Sequence, residues 1–109
     1  MNLESDFFQV EQLEKQRSDD GKRYLEFIRV PAMSAGLYVL PGGGQDPQKP
    51  HNEDELYYVV RGRARVRVGS EDRDVGPGSI IFVGAKVQHQ FHEIAEELAV
   101  LVFFAPAES

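Results

Sequence analysis

The sequence has no cysteine and no tryptophan, and only 3 histidines among 109 residues. Without cysteine there is no disulfide framework, no thiol nucleophile and no thiolate metal site. Cationic side chains are also in deficit: 12 Lys+Arg against 18 Asp+Glu leave a net charge of −6. Such a surface gives no counter-charge to nucleic acid or to an anionic membrane, so neither is expected as a partner. Long apolar runs are missing too. The longest, Leu98 to Ala105, falls far short of the roughly 18 residues a membrane span needs. The opening Met-Asn-Leu-Glu-Ser-Asp has neither the basic nor the apolar region of a signal peptide. A soluble, cytoplasmic protein is the expectation.

What is present is ordinary for a folded domain: 41% hydrophobic and 28% charged residues. The length suits one domain of roughly 100–150 residues, enough to bury a core without covalent staples. Residues 1–21 read as an N-terminal strand/helix extension. Phe7, Phe8, Val10 and Leu13 give it an apolar side, and Ser18-Asp19-Asp20-Gly21 gives it an end. Residues 22–109 read as a barrel domain. Tyr24–Val30, Ser34–Leu40, Leu56–Val60 and Ala64–Val68 alternate or are rich in β-branched and aromatic residues. Ser79–Val83 and Leu98–Phe104 are short continuous apolar runs, the latter placed centrally in a sheet. Turns at Pro41-Gly42-Gly43-Gly44 and Gly76-Pro77-Gly78 separate them. The pattern predicts an all-β sandwich or barrel. Arg61, Arg63, Arg65 and Arg67 fall on alternate positions. They read as a solvated strand face paired across a hairpin with Glu71, Asp72 and Asp74, rather than as a phosphate-binding stripe.

All the histidines fall in two windows, Pro50–Gly62 and Gly78–His92. In the first, His51 and Glu55 share strand parity, and Tyr57 and Val59 continue that face into the core. An imidazole and a carboxylate turned into an apolar interior are unfavourable unless satisfied, and a metal ion satisfies both. Glu53 shares this parity near the strand start and is a candidate rim residue or general base.

These windows resemble the paired motifs of the cupin superfamily. The first family motif runs His-x-His, three or four residues, Glu, six residues, Gly; here Lys49-x-His51, three residues, Glu55, six residues and Gly62 take those places. The second runs Gly, five residues, Pro-x-Gly, two residues, His, three residues, Asn; here the places are held by Gly78, Gly84-x-Lys86, His89 and Glu93. The resemblance extends from about Gly42 to Phe104. It implies a double-stranded β-helix, the jelly-roll cupin barrel, with a short helix before it.

The resemblance carries the family's metal ligands onto His51, Glu55 and His89, a set that suits Fe, Mn, Ni or Zn and leaves open positions. Gln48 is a candidate fourth oxygen donor if the strand bulges after Pro47. The family's first histidine is replaced by Lys49, which as an ammonium donates only. Turned inward, Lys49 would either favour an anionic ligand or pair with Glu55 and displace the metal. Tyr57, Phe82 and Phe91 are expected to line the barrel, Tyr57 with a hydroxyl for a bound ligand. His92, of opposite parity to His89, is expected to point outward. The function so implied is a metal-dependent enzyme of dioxygenase, isomerase or lyase type acting on a small polar or carboxylate molecule; the alternative is a non-catalytic small-ligand-binding cupin, without metal if Lys49 takes its place. A homodimer paired through sheet edges and the first segment is also expected.

Overall fold

A computed structural model describes residues 4–109. The first three residues of the expected extension lie outside the described ones. The described residues form one helix, α1 (Val10–Asp20), and six strands: β1 (Tyr24–Val30), β2 (Met33–Leu40), β3 (Asp54–Val68), β4 (Glu71–Val75), β5 (Ile80–Val83) and β6 (His89–Ala105). The strands follow the order β1-β2-β6-β3-β4, with β5 on the far side of β3, and every pairing is antiparallel. This is the jelly roll that the resemblance implied.

Two long strands make it a barrel. β3 joins the apolar runs Leu56–Val60 and Ala64–Val68 into one element, paired with β5 before Gly62 and with β4 after it. There φ is +92°, and a Cβ would run into the Glu97 carbonyl of β6. Only glycine tolerates both conditions. β6 lies between β2 and β3, which is why Leu98–Val100 is buried throughout. A bulge at Glu93, at φ 47°, lets Phe91 and Ile94 both turn inward.

Inside the barrel, Tyr57, Val59, Val66, Phe91, Leu98, Val102 and Phe104 form the main core. A second cluster lies on the outer face of the sheet, where Leu13 of α1 covers Leu37, Val39 and Ala99. Helix α1 runs through Ser18–Asp20, past the expected stop, and ends at Gly21. That glycine takes the left-handed conformation and donates its N–H to the carbonyls of Arg17 and Ser18. The arginine stripe is the solvated face that was expected. Arg65 pairs with Asp72 and Asp74, and Arg67 with Asp72. Arg61 instead reaches Glu14 and Glu97, and Glu71 pairs with Arg73. No helix among the described residues is long and apolar enough to cross a membrane.

Candidate metal centre

Glu55 and His89 are held by strands. Glu55 lies on β3 in the run of alternating burial Glu55, Tyr57, Val59, so its parity turns it into the barrel, where it is 2% exposed. His89 opens β6 and its Nδ1 lies 2.9 Å from the Val87 carbonyl. In the neutral ring Nδ1 therefore carries the proton and Nε2 presents its lone pair to the interior. That Nε2 lies 3.1 Å from Glu55 Oε1. Burial lowers the His89 pKa, but the Glu55 carboxylate and the Val87 carbonyl outweigh it and hold it above the ordinary value.

His51 and Gln48 are held by the loop between β2 and β3. His51 precedes β3 and depends on tertiary contacts for its place. Its carbonyl accepts the N–H of Lys86 at 2.6 Å, which ties it to the turn leading to His89. Lys86 stands where the family motif has glycine, and it takes a left-handed φ of 66°. Gln48 is set by Asp46, a fully buried carboxylate that accepts the Tyr38 hydroxyl (2.9 Å), the Phe91 N–H (3.0 Å), the Gln48 N–H (3.2 Å) and the Gln48 side-chain Nε2 (2.9 Å). With its amide nitrogen on Asp46, Gln48 turns Oε1 toward the Tyr57 hydroxyl (2.9 Å) and His51 Nε2 (3.3 Å).

The nitrogens of His51 and His89 and the oxygen of Glu55 all lie within 4.8 Å of one another. Both Glu55 oxygens and His89 Nε2 are buried without a hydrogen-bond partner. The short His89–Glu55 separation is no exception, since the ring N–H direction misses the oxygen. Buried polar atoms are nearly always paired, so three orphans converging on one point need an explanation. Two imidazoles and a carboxylate gathered this closely, two of the three residues buried, could hold a divalent metal ion.

The cupin domain family model matches residues 36–105. The chain is a cupin. An uncharacterized protein of Streptomyces coelicolor is 49% identical over 102 residues, which cover 94% of this chain and 97% of that one. A solved structure from Thermus thermophilus shares 27% identity at a TM-score of 0.73, covering 94% of this chain and 99% of that one. The DMSP lyase DddQ of Ruegeria pomeroyi shares the fold at 21% identity and a TM-score of 0.68, over 81% of this chain and 49% of its own.

Several side chains of this cupin depart from expectation. Lys49 does not turn inward. The segment before Asp54 is not strand, so strand parity does not govern it; Lys49 is exposed, lines with Arg67, Gln48 and His89 a cavity beside the site, and forms no ion pair among the described residues. The expected pairing of Lys49 with Glu55 is not formed. For the same reason Gln48 faces the site although a regular strand would have turned it away. Phe82 does not line the barrel. It is 63% exposed, because its cross-strand partner is Leu56 on the outer face, while Val83 opposite Glu55 points in. Glu53 is no solvated rim residue: it is buried, and it accepts the Ser109 N–H at 3.1 Å. Tyr57 and Phe91 do line the interior, ring to ring at 5.0 Å, and burial raises the Tyr57 hydroxyl well above its ordinary pKa, with Glu55 adding to the effect. His92 points outward to Asp72 at 2.8 Å.

The sequence reading missed Asp46 and Glu108. Asp46-Pro47 is a turn-opening pair, the one signal in the sequence for the first. Glu108 has none. Its carboxylate lies 3.3 Å from His51 Nδ1 and flanks a cavity of about 210 Å3 with Tyr24, Tyr38, Gln48, His51 and Phe104. Burial and the nearby Glu55, Glu26 and Glu53 raise its pKa, and His51 opposes them. The cavity contains no lysine or arginine, and the buried Tyr24 hydroxyl has no partner.

Proposed function

We propose that this cupin holds a divalent metal at His51, Glu55 and His89, with Gln48 Oε1 as a fourth donor, and that it is an enzyme of dioxygenase, isomerase or lyase type. The observation that carries the reading is the convergence of three partnerless buried ligand atoms. The metal would supply Lewis acidity and, if it is iron, a place for dioxygen. The chain supplies the rest. The cavity beside His51 has room for a small molecule, and Val102 and Phe104 give it apolar walls. The Tyr24 hydroxyl offers a donor to that molecule, and the Tyr57 hydroxyl holds Gln48 in place. The cavity beside His51 has no cationic side chain, while the one beside His89 has Lys49 and Arg67, so a small polar or carboxylate molecule suits the site. The lyase among the structural neighbours supports the enzymatic reading only as an example of what the fold accommodates.

The test is elemental analysis of protein purified without chelators, with and without His51→Ala. Stoichiometric transition metal lost in the variant is the expected result. Metal-free protein that takes up none of Fe, Mn, Ni or Zn on titration overturns the reading.

The homodimer is a further part of this proposal. Leu56, Tyr58, Ile80 and Phe82 leave an apolar outer face on β3 and β5, the last two 66% and 63% exposed. Among the described residues β5 pairs with β3 alone. A second copy docked on this face would cover both the apolar surface and the free strand edge. Sedimentation of the protein and of Phe82→Glu decides it: a dimer that the variant splits is expected, and a monomer at all concentrations refutes it.

A further inference from the structure

Two tyrosines face each other across β1 and β2, and their hydroxyls have different fates. Tyr24 is in register with Tyr38, ring to ring at 6.2 Å. The Tyr38 hydroxyl donates to Asp46 and belongs to the network that sets Gln48. The Tyr24 hydroxyl is buried and has no hydrogen-bond partner among the described residues. Buried tyrosine hydroxyls ordinarily find one. We propose that Tyr24 is a substrate-binding residue. Its hydroxyl donates to a neutral carbonyl or hydroxyl oxygen of the molecule that enters the cavity beside His51, and Gly36 makes the room from which it does so. This rests on the metal reading of the site for the reaction it serves, but not for the binding.

Packing accounts for the ring but not for its hydroxyl. The tip of the ring lies over Gly36 of β2, where a Cβ would run into Cε1, Cζ and the hydroxyl oxygen. Gly36 is not among the glycines of positive φ, so its backbone conformation does not call for glycine. The close approach of the ring does. A phenylalanine would fill the same place and leave no donor unmet. Gly36 stands opposite Val102 in the sheet, and Val102 forms an apolar wall of the cavity. The hydroxyl is thus delivered to the wall that a ligand would lie against.

The charges around the cavity select the group that it takes. No lysine or arginine lines it, and Glu108 flanks it. Burial raises the Tyr24 pKa, and the charges of Glu108, Glu26 and Glu55 add to the rise against that of Arg29, so the hydroxyl keeps its proton and remains a donor. A carboxylate placed here would be desolvated among charges of its own sign with no cation to pair it. A neutral oxygen accepts the same hydrogen bond without that repulsion. An anionic end of the molecule finds cations only in the cavity beside His89, where Lys49 and Arg67 stand. The group expected beside Tyr24 is therefore a neutral oxygen on a short carbon chain, and hydroxyacetone is a probe of that chemistry.

Titration of hydroxyacetone into metal-free, 15N-labelled protein tests the proposal. Saturable shifts of the Gly36 and Val102 amide signals are expected, and acetate should shift them less. Tyr24→Phe should weaken hydroxyacetone binding about tenfold, as the loss of one neutral hydrogen bond does. The same variant should unfold in denaturant at a midpoint no lower than that of the unaltered protein, because the hydroxyl it removes is buried and unpaired. A tyrosine of purely structural use would lose stability and leave hydroxyacetone binding as it was. Gly36→Ala should push the ring aside and weaken binding by a similar factor, after which adding Tyr24→Phe should change little. No saturable shifts, undiminished binding in Tyr24→Phe, or a lower unfolding midpoint in that variant overturns the proposal. Hydroxyacetone binding by protein that takes up no zinc leaves the proposal standing and removes the metal reading; zinc uptake without hydroxyacetone binding does the opposite.

Discussion

Two histidine–carboxylate pairs stand on opposite faces of β6, three residues apart. His89 meets Glu55 at 3.1 Å inside the barrel, and His92 meets Asp72 at 2.8 Å outside it. The residue types match and the distances nearly so. The outer pair is hydrogen-bonded and shares its carboxylate with Arg65 and Arg67. The inner pair is buried and misaligned, and both Glu55 oxygens and His89 Nε2 are without a hydrogen-bond partner among the described residues. Proximity of a histidine and a carboxylate therefore does not make a site. Desolvation together with lone pairs left pointing at a third place does, because only there is an added cation worth more than the water it displaces.

Substitution at the two carboxylates should separate the pairs most sharply. Glu55→Gln keeps the shape and can donate its amide N–H to His89, so the metal-free protein should unfold at no lower a midpoint. Zinc affinity should drop by more than about 100-fold, since a ligand is lost where even its outer partners are worth 10–100-fold. Asp72→Asn should leave zinc binding unchanged. Equal losses in the two variants, read by chelator competition, would erase the distinction.

The next effect falls on the loop that completes the inner pair. Asp46→Ala leaves the Tyr38 hydroxyl, the Phe91 N–H and the Gln48 amide without their acceptor. The expected loss is about 3 kcal/mol in denaturant unfolding, in the range for breaking a buried charged hydrogen-bond network. A change below about 1 kcal/mol would mean that the loop half of the site is not ordered by Asp46.

How much of this was legible follows the same division. Strand parity placed Glu55, Tyr57 and Val59 inside and His92 outside, because period two holds wherever the chain is strand. It failed for Lys49 and Gln48, which precede the strand and obey Asp46 and the Lys86 turn instead. His51 faces Glu55 as parity foretold, but the cause is the Lys86 N–H on its carbonyl. Phe82 was misplaced because a short apolar run gives no face by itself; its register against Leu56 does. Glu108 was invisible, since its contact spans 57 residues of sequence (108 − 51).

Lys86 offers a smaller and opposite effect. A left-handed φ of 66° is strained for lysine, whereas glycine adopts it freely. Lys86→Gly retains the N–H to His51 and should stabilise the protein by about 1 kcal/mol in denaturant unfolding without altering zinc affinity. A destabilised variant would show that the lysine side chain, not only its backbone, supports the inner site.

The smallest effect belongs to the outer pair and is lost in acid. The hydrogen bond from His92 lowers the Asp72 pKa below its ordinary 3.8, against an opposing effect of desolvation, with the charges of His92 and Arg65 and a hydrogen bond from Arg67 adding to the fall. A carboxyl depressed in the folded state contributes stability that is present above the unfolded value and disappears as pH falls through the folded one. The unaltered protein should therefore exceed Asp72→Asn in melting temperature above about pH 4, and the two curves should converge below it. Because the pair is exposed, added salt should shrink the gap at neutral pH. A gap that persists at the acid end would place the contribution of Asp72 in its packing rather than its charge, and the contrast between the two faces of β6 would then rest on the inner pair alone.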